Sequence, residues 1–124
     1  MKKLMIFAIA ILIFTLASCS TTPESPAIDP AVYELGENVF QANCASCHSP
    51  NYDVVLVGPT MLGLASRAGN MIEGMDARSY IIESILEPSA FLNEGFHNLM
   101  PATYNNSLDA EELDALVEYL LTFE

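Results

Sequence analysis

The stretch NCASCHS, residues 43–49, places two thiols and an imidazole within five positions. Cysteines separated by two residues are typical of three chemistries: a redox dithiol, half of a zinc site, or a point of haem attachment. The chain lacks the βαβ pattern that accompanies a redox dithiol. A zinc site needs two more ligands at close spacing, and His97 is the only other strong candidate. The residue after the second cysteine therefore decides between these chemistries.

That residue is His48, and C-x-x-C-H is the attachment signature of c-type haem. Each thiol adds to one vinyl group of the porphyrin, and the two-residue gap lets one turn of chain reach both vinyls. The adjacent imidazole then falls beneath the ring, where it binds iron as the proximal ligand. The sequence therefore predicts one covalent haem c, held by Cys44 and Cys47 and ligated by His48.

The second axial ligand decides what such an iron can do. Methionine in a core usually only fills space. Met100 stands apart because it precedes Pro101 in a predicted loop and lies far enough after His48 to approach from the opposite face. A His/Met pair raises the reduction potential and leaves no open position, which suits a one-electron carrier. We predict Met100 as the ligand; the alternatives are an open site or one of His97, Met61, Met71 and Met75.

The N-terminus is predicted to be an export and anchoring segment. Residues 1–18 combine two lysines, an apolar run and small residues, which is the pattern of a signal peptide. The run is shorter than the roughly 20 residues that span a bilayer. The sequence LASC, ending at Cys19, resembles the lipobox of bacterial lipoproteins, which implies lipid attachment to Cys19; an ordinary signal with a free thiol is the alternative. Residues 19–30 are proline-rich and predict a tether, so the folded domain would be 31–124.

Charge excludes one class of partner. The chain carries 16 acidic and four basic residues, and after residue 18 the only basic ones are Arg67 and Arg78. Such a surface repels phosphate backbones, so we expect no nucleic-acid partner. It suits a partner with a basic face, although the charge is also consistent with solubility alone.

Helical periodicity predicts about four helices and no strands. Asp29 and Pro30 begin one helix that runs to Asn43, and a short helical turn covers 59–67. Asp76 caps a third helix that Pro88 stops. The last is capped by Ser107 and has an apolar stripe, and the HNLMPATYNNS segment before it is predicted to be a loop. The stripe consists of Leu113, Leu116, Val117, Leu120 and Leu121.

With these residues placed, about residues 31–123 resemble class I mono-haem cytochromes c. Gly36 and Phe40 in the first helix, with Leu116 and Tyr119 in the last, look like that family's crossed terminal helix pair. The resemblance implies an all-α fold in which helices and long loops wrap one haem.

The resemblance also extends to GPTMLGLASR, which looks like the family's loop after the haem motif. It implies that Pro59 offers its carbonyl to the ring N–H of the proximal histidine. It further implies that Arg67 pairs with a haem propionate, the alternative being an ordinary surface charge.

The segment from Tyr80 to Tyr119 is most similar to two bacterial groups: the cytochrome domain of haem-copper oxidase subunit II, and the lipid-anchored mono-haem subunits of quinol-oxidising complexes such as alternative complex III. This implies redox protein partners in a membrane respiratory complex, and a place at the outer face of the cytoplasmic membrane or in the periplasm. A free lipid-anchored shuttle is the alternative, and a haem peroxidase or gas-binding protein with an open sixth position is a further one.

Overall fold

The computed structural model describes residues 27–50 and 52–124, and within these ranges it is helical with no strand. The predicted all-α class is confirmed. The predicted signal peptide, Cys19 and most of the predicted tether lie outside the described residues. No helix in the described ranges has the length and apolar character needed to cross a membrane. The helices are α1 (Pro30–Asn43), α2 (Leu64–Ala68), α3 (Ala77–Leu86), α4 (Tyr104–Ser107) and α5 (Ala110–Leu120).

Helix α1 begins where the sequence predicts it. The Asp29 side chain accepts a hydrogen bond from the Ala31 amide at 2.8 Å, and Pro30 occupies the first helical position, where its missing N–H costs nothing. At the other end, the amide of Cys44 donates to the carbonyl of Phe40 at 2.8 Å. The C-x-x-C-H turn therefore begins directly after the last residue of the helix.

Helices α1 and α5 cross closely at Gly36. A Cβ built on Gly36 would lie 2.1 Å from the Ala115 carbonyl oxygen and 2.7 Å from Cβ of Tyr119, so only glycine allows this approach. Next to the crossing, the rings of Phe40, Tyr119 and Phe123 pack with centroids 5.0 to 5.8 Å apart. The predicted helix pair is present, and all three aromatic residues are part of the buried core.

One prediction about α5 and one about the segment before it need correction. Ser107 does not cap it; Asp109 does, accepting from the Glu112 amide at 2.8 Å while the Glu112 side chain returns a bond to the Asp109 amide. Ser107 is instead the last residue of α4, a short helix within the segment that was predicted to be a loop. The first error arises because two cap-forming residues stand two positions apart, and only Asp109 has a Glu three residues later.

Helix α3 is capped by Asp76, as predicted. Hydrogen bonds from the Ser79 amide and hydroxyl hold the carboxylate, and they lower the pKa of Asp76 below its usual value. The helix ends at Leu86, before Pro88, and buries Tyr80, Ile81 and Ile85. Helix α2 begins at Leu64, later than the predicted turn at 59, because the preceding residues instead bond to the haem-motif segment.

Candidate functional site

The predicted haem-binding residues surround one cavity of about 290 Å³. Its wall combines the C-x-x-C-H turn, the loop that follows it, one face of α3 and the segment from Phe91 to Tyr104. Aliphatic and aromatic side chains make up most of the lining, which is the usual character of a cofactor pocket. The predicted site residues in this wall are Cys44, Cys47, His48, Pro59, Arg67 and Met100.

The two thiols lie in a tight turn at the end of α1. The amides of Cys47 and His48 both donate to the carbonyl of Cys44, at 3.0 and 2.9 Å. Both thiols are free and partly buried. Burial, with a smaller contribution from Cys47, raises the pKa of Cys44 to about 11. A redox dithiol needs a lowered thiol pKa, so this environment argues against that chemistry.

The zinc alternative also finds no support. Among residues 27–50 and 52–124, no group of three or more His, Cys, Asp or Glu side chains could hold a metal ion. His97 lines the same cavity but is exposed, and it does not complete a cluster with the thiols.

His48 is held in one tautomer by its neighbours. Its Nδ1 lies 2.8 Å from the carbonyl oxygen of Pro59. Because a carbonyl can only accept, Nδ1 must carry the proton, which leaves Nε2 with a free lone pair. A ring oriented in this way, by a second hydrogen bond, is the usual form of a metal-binding histidine.

Gly58 is a site residue that the sequence analysis missed. A Cβ built on it would lie 2.4 Å from Cε1 of His48, so the backbone packs directly against the imidazole. Its amide also donates to the carbonyl of Cys47 at 2.9 Å. Its position directly before Pro59, in a loop already tied to the haem motif, is a signal that could have identified it.

The candidate sixth ligands differ in where the structure places them. Met61 is buried, and its amide donates to the carbonyl of Ser49 at 2.8 Å, so it belongs to the His48 side of the cavity. Met71 is 39% exposed, and Met75 packs against the core but is outside the cavity lining. Met100 is partly buried, lines the cavity and packs against the core.

The Met100 segment is anchored to the haem-motif end of α1. The hydroxyl of Tyr104 donates to the carbonyl of Asn43 at 3.0 Å, directly before Cys44. Partial burial, with smaller effects of Cys44 and Cys47, raises the pKa of Tyr104 from its usual value. This tie spans 61 positions and joins the two parts of the chain that the sequence assigns to opposite sides of the iron. No sequence pattern identifies it.

Arg67 lies in the cavity wall, and its guanidinium donates to the backbone carbonyls of Thr60 and Leu62. Partial burial lowers the pKa of Arg67 from its usual value. The side chain therefore stabilises the loop that carries Pro59 and Met61. The predicted pairing with a propionate stays a prediction, since the observed partners are carbonyls.

Ser84 indicates that the cavity suits a bound group with polar atoms. Its Oγ is buried and, among the described residues, finds no hydrogen-bond partner, although it lines the cavity from α3. An unpartnered buried hydroxyl costs about 1–3 kcal/mol, so such groups are normally satisfied by something else. Together with the two thiols and the free Nε2 of His48, this orphan donor fits a haem in the cavity.

Comparison with known proteins agrees with this geometry. The sequence profile of the family described as cytochrome c matches residues 33–124. The curated protein cytochrome c type-1 of Ascaris suum is 27% identical over 79 residues, which are 54% of this chain and 70% of that protein. The chain belongs to the cytochrome c family.

Membership settles the cofactor and the broad chemistry. The cofactor is a covalently bound c-type haem, and Cys44 and Cys47 fit the attachment motif. The protein is therefore a haem-based electron carrier with redox protein partners.

Proposed function

We propose that this protein is a one-electron carrier with His48 and Met100 as its axial ligands, anchored by lipid on Cys19 at the outer face of a bacterial cytoplasmic membrane or in the periplasm. There it would serve a respiratory or photosynthetic chain as a small subunit of a quinol-oxidising or oxidase complex. The observation that carries the proposal is that His48 and Met100 line one cavity from two separately anchored segments.

The residues around the cavity would keep the ligand geometry fixed during electron transfer. When bound, the haem supplies an iron that accepts and returns a single electron. The Pro59 carbonyl holds Nδ1 of His48, which leaves Nε2 to bind the iron, and the Tyr104 bond holds the Met100 segment against α1. With His48 and Met100 both bound to the iron, substrate or oxygen would have no site on it.

The choice of Met100 over the other candidates rests on its surroundings. His97 is exposed, Met71 is 39% exposed, and Met61 is tied to Ser49 beside the proximal histidine. Met100 alone among these four combines partial burial, packing against the core and a place in a segment anchored to α1. Proline at 101 also keeps its backbone out of helical geometry.

The membrane assignment is supported by the sequence of the N-terminus. The LASC stretch follows an apolar segment at the spacing of a lipobox, and two or more acyl chains would give stable anchoring. A tether of about a dozen residues would keep the haem domain near membrane partners and raise their effective concentration. Mass spectrometry of the protein purified from membranes would show the lipid on Cys19 or an unmodified terminus.

The ligand assignment is tested by Met100→Ala in the haem-loaded protein. The ferric wild type is expected to show the weak red absorption band of sulfur ligation, and the variant is expected to lose it because the iron loses its thioether. The ferrous variant should then bind carbon monoxide, which the wild type should not. The reduction potential should fall for the same reason.

Met71→Ala is the matched control, since Met71 also lines the cavity but is more exposed. It should retain the red band and should not bind carbon monoxide. If wild-type ferrous protein binds carbon monoxide readily, the carrier assignment fails and an open-site peroxidase or gas-binding protein is favoured. Copurification of other subunits from detergent-solubilised membranes would distinguish a complex subunit from a free shuttle.

A further inference from the structure

Four consecutive aliphatic side chains stand exposed in the loop that follows the haem motif. Val54, Val55, Leu56 and Val57 are 49%, 61%, 48% and 54% exposed, and we call them the aliphatic strip. Single exposed apolar residues are normal, but an unbroken run of four is not expected on a surface that has only to be soluble. We therefore expect another molecule to bind to and cover the strip.

The backbone holds the strip in place at both ends. The Thr60 hydroxyl donates to the Tyr52 carbonyl at 2.6 Å, just before the strip, and the Gly58 amide donates to the Cys47 carbonyl at 2.9 Å, just after it. Val57 itself lines the haem cavity. A molecule seated on the strip would thus lie beside the second haem-attachment cysteine.

The charge of the surrounding protein indicates which kind of partner could bind to the strip. Residues 27–124 contain two arginines and no lysine. Arg78 is bound by Asp114 and Glu118, and Arg67 by two backbone carbonyls. The remaining surface is strongly acidic, and Asp53 immediately precedes the strip. An anionic lipid surface would be repelled, whereas an apolar patch with a basic rim on a protein would be attracted.

We infer that the aliphatic strip is the docking surface for a redox protein partner that presents an apolar patch surrounded by basic residues. The inference rests on the proposed electron-carrier function and names the surface through which the electron passes. Apolar contact at the centre supplies affinity, and the charge around it steers the encounter. A partner on the strip would lie beside Cys47, a predicted attachment point of the haem, which would keep the transfer distance short.

The test compares Leu56→Ser with Leu62→Ser in the haem-loaded protein. Both leucines are exposed, at 48% and 39%, but only Leu56 belongs to the strip. The probe is a gold electrode coated with a mixed monolayer of methyl-terminated and amine-terminated thiols, which imitates an apolar patch with a basic rim. Leu56→Ser should slow interfacial electron transfer about tenfold. Losing one leucine contact removes about 1.5 kcal/mol or more of binding free energy, which lowers the population of docked protein about tenfold. Leu62→Ser should transfer at the wild-type rate.

Equal rates for Leu56→Ser and wild type would overturn the inference. So would an equal wild-type rate on a methyl and carboxylate monolayer, because charge would then play no part. Binding of the wild type, but not of Leu56→Ser, to phosphatidylglycerol vesicles would show that lipid and not protein occupies the strip. If wild-type protein gives no reversible one-electron wave on any surface, the proposed function itself fails, which is a separate result.

Discussion

At the scale of single residues, the site depends on how the His48 ring is oriented. Its Nδ1–H bonds to Pro59, and the backbone of Gly58 packs flat against the ring. These two contacts come from adjacent residues, so one short loop sets both the tautomer and the position of the imidazole. A carbonyl acceptor also increases the electron density at Nε2, which strengthens it as a ligand.

Gly58→Ala should therefore weaken haem binding more than a Gly→Ala substitution at a position where the added methyl group has room. The new Cβ would stand 2.4 Å from Cε1 of His48, so the loop or the ring must move. We expect a severalfold lower ratio of iron to polypeptide and a loss of stability of about 1–3 kcal/mol from overpacking. Iron analysis and denaturant unfolding measure these two quantities.

Gly69→Ala is the matched control for that change. A Cβ at Gly69 meets its nearest neighbour at 3.5 Å, an ordinary contact, and its φ of −70° suits alanine. It should load iron fully and unfold at or above the wild-type midpoint. Equal iron content in Gly58→Ala and Gly69→Ala would contradict the role assigned to the Gly58 loop.

At the scale of elements, the crossing of α1 and α5 positions the haem motif. The last turn of α1 leads into Cys44, and α5 contributes Leu116 and Leu120 to the cavity wall. Arg78 adds a further link, since it bonds from α3 to Asp114 and Glu118 on α5. These ion pairs are partly exposed and contribute little to stability, so packing at the crossing matters more.

Gly36→Ala tests the crossing. The added methyl would meet the Ala115 carbonyl oxygen at 2.1 Å, and because backbone cannot rotate away, the helices must separate. We expect a loss of about 1–3 kcal/mol in the free energy of unfolding, measured by chemical denaturation of the haem-loaded protein.

Asn38→Ala provides the comparison on the same helix, since Asn38 is exposed and alanine is the better helix former. Its stability should match or slightly exceed that of the wild type. A Gly36→Ala protein that unfolds at the same denaturant concentration as Asn38→Ala would show that the helices do not meet as closely as described.

At the scale of the whole molecule, the dominant property is negative charge. The formal net charge of the chain is −12, and the two arginines of the folded part are both engaged by neighbouring groups. Such a field accelerates encounters with cationic partners and slows those with anionic ones. It acts over about 10 Å at ordinary ionic strength.

Small redox reagents of opposite charge measure this field directly. The reduced protein should be oxidised faster at low salt by tris(phenanthroline)cobalt(III), a trication, and more slowly by ferricyanide, a trianion, after correction for driving force. Raising the ionic strength should slow the first reaction and speed the second by about tenfold or more, because screening removes the attraction and the repulsion. Stopped-flow absorbance gives both rates. Salt dependence of the same sign for both reagents would contradict the prediction.

The sequence predicted the chemistry better than it predicted local boundaries. C-x-x-C-H identified the cofactor because five adjacent residues meet its geometric demands without help from the rest of the chain. Asp29, Pro30 and Asp76 marked helix starts correctly, since capping depends on residues a few positions apart. Ser107 and the segment after Met100 are predicted wrongly: the capping box with Glu112 belongs to Asp109, and no side chain caps the start of the four-residue helix α4.

By itself, then, the sequence determined the haem motif, the all-α class, the acidic surface and a short set of candidate ligands. Only the tertiary structure decided which parts of the chain meet: Gly58 against His48, Tyr104 against Asn43, the unpartnered Ser84 in the cavity wall, and the exposed strip beside Cys47. The physical reason is the separation along the chain between the residues that interact. Covalent attachment and capping act between near neighbours, whereas contacts across tens of positions exist only once the helices have packed.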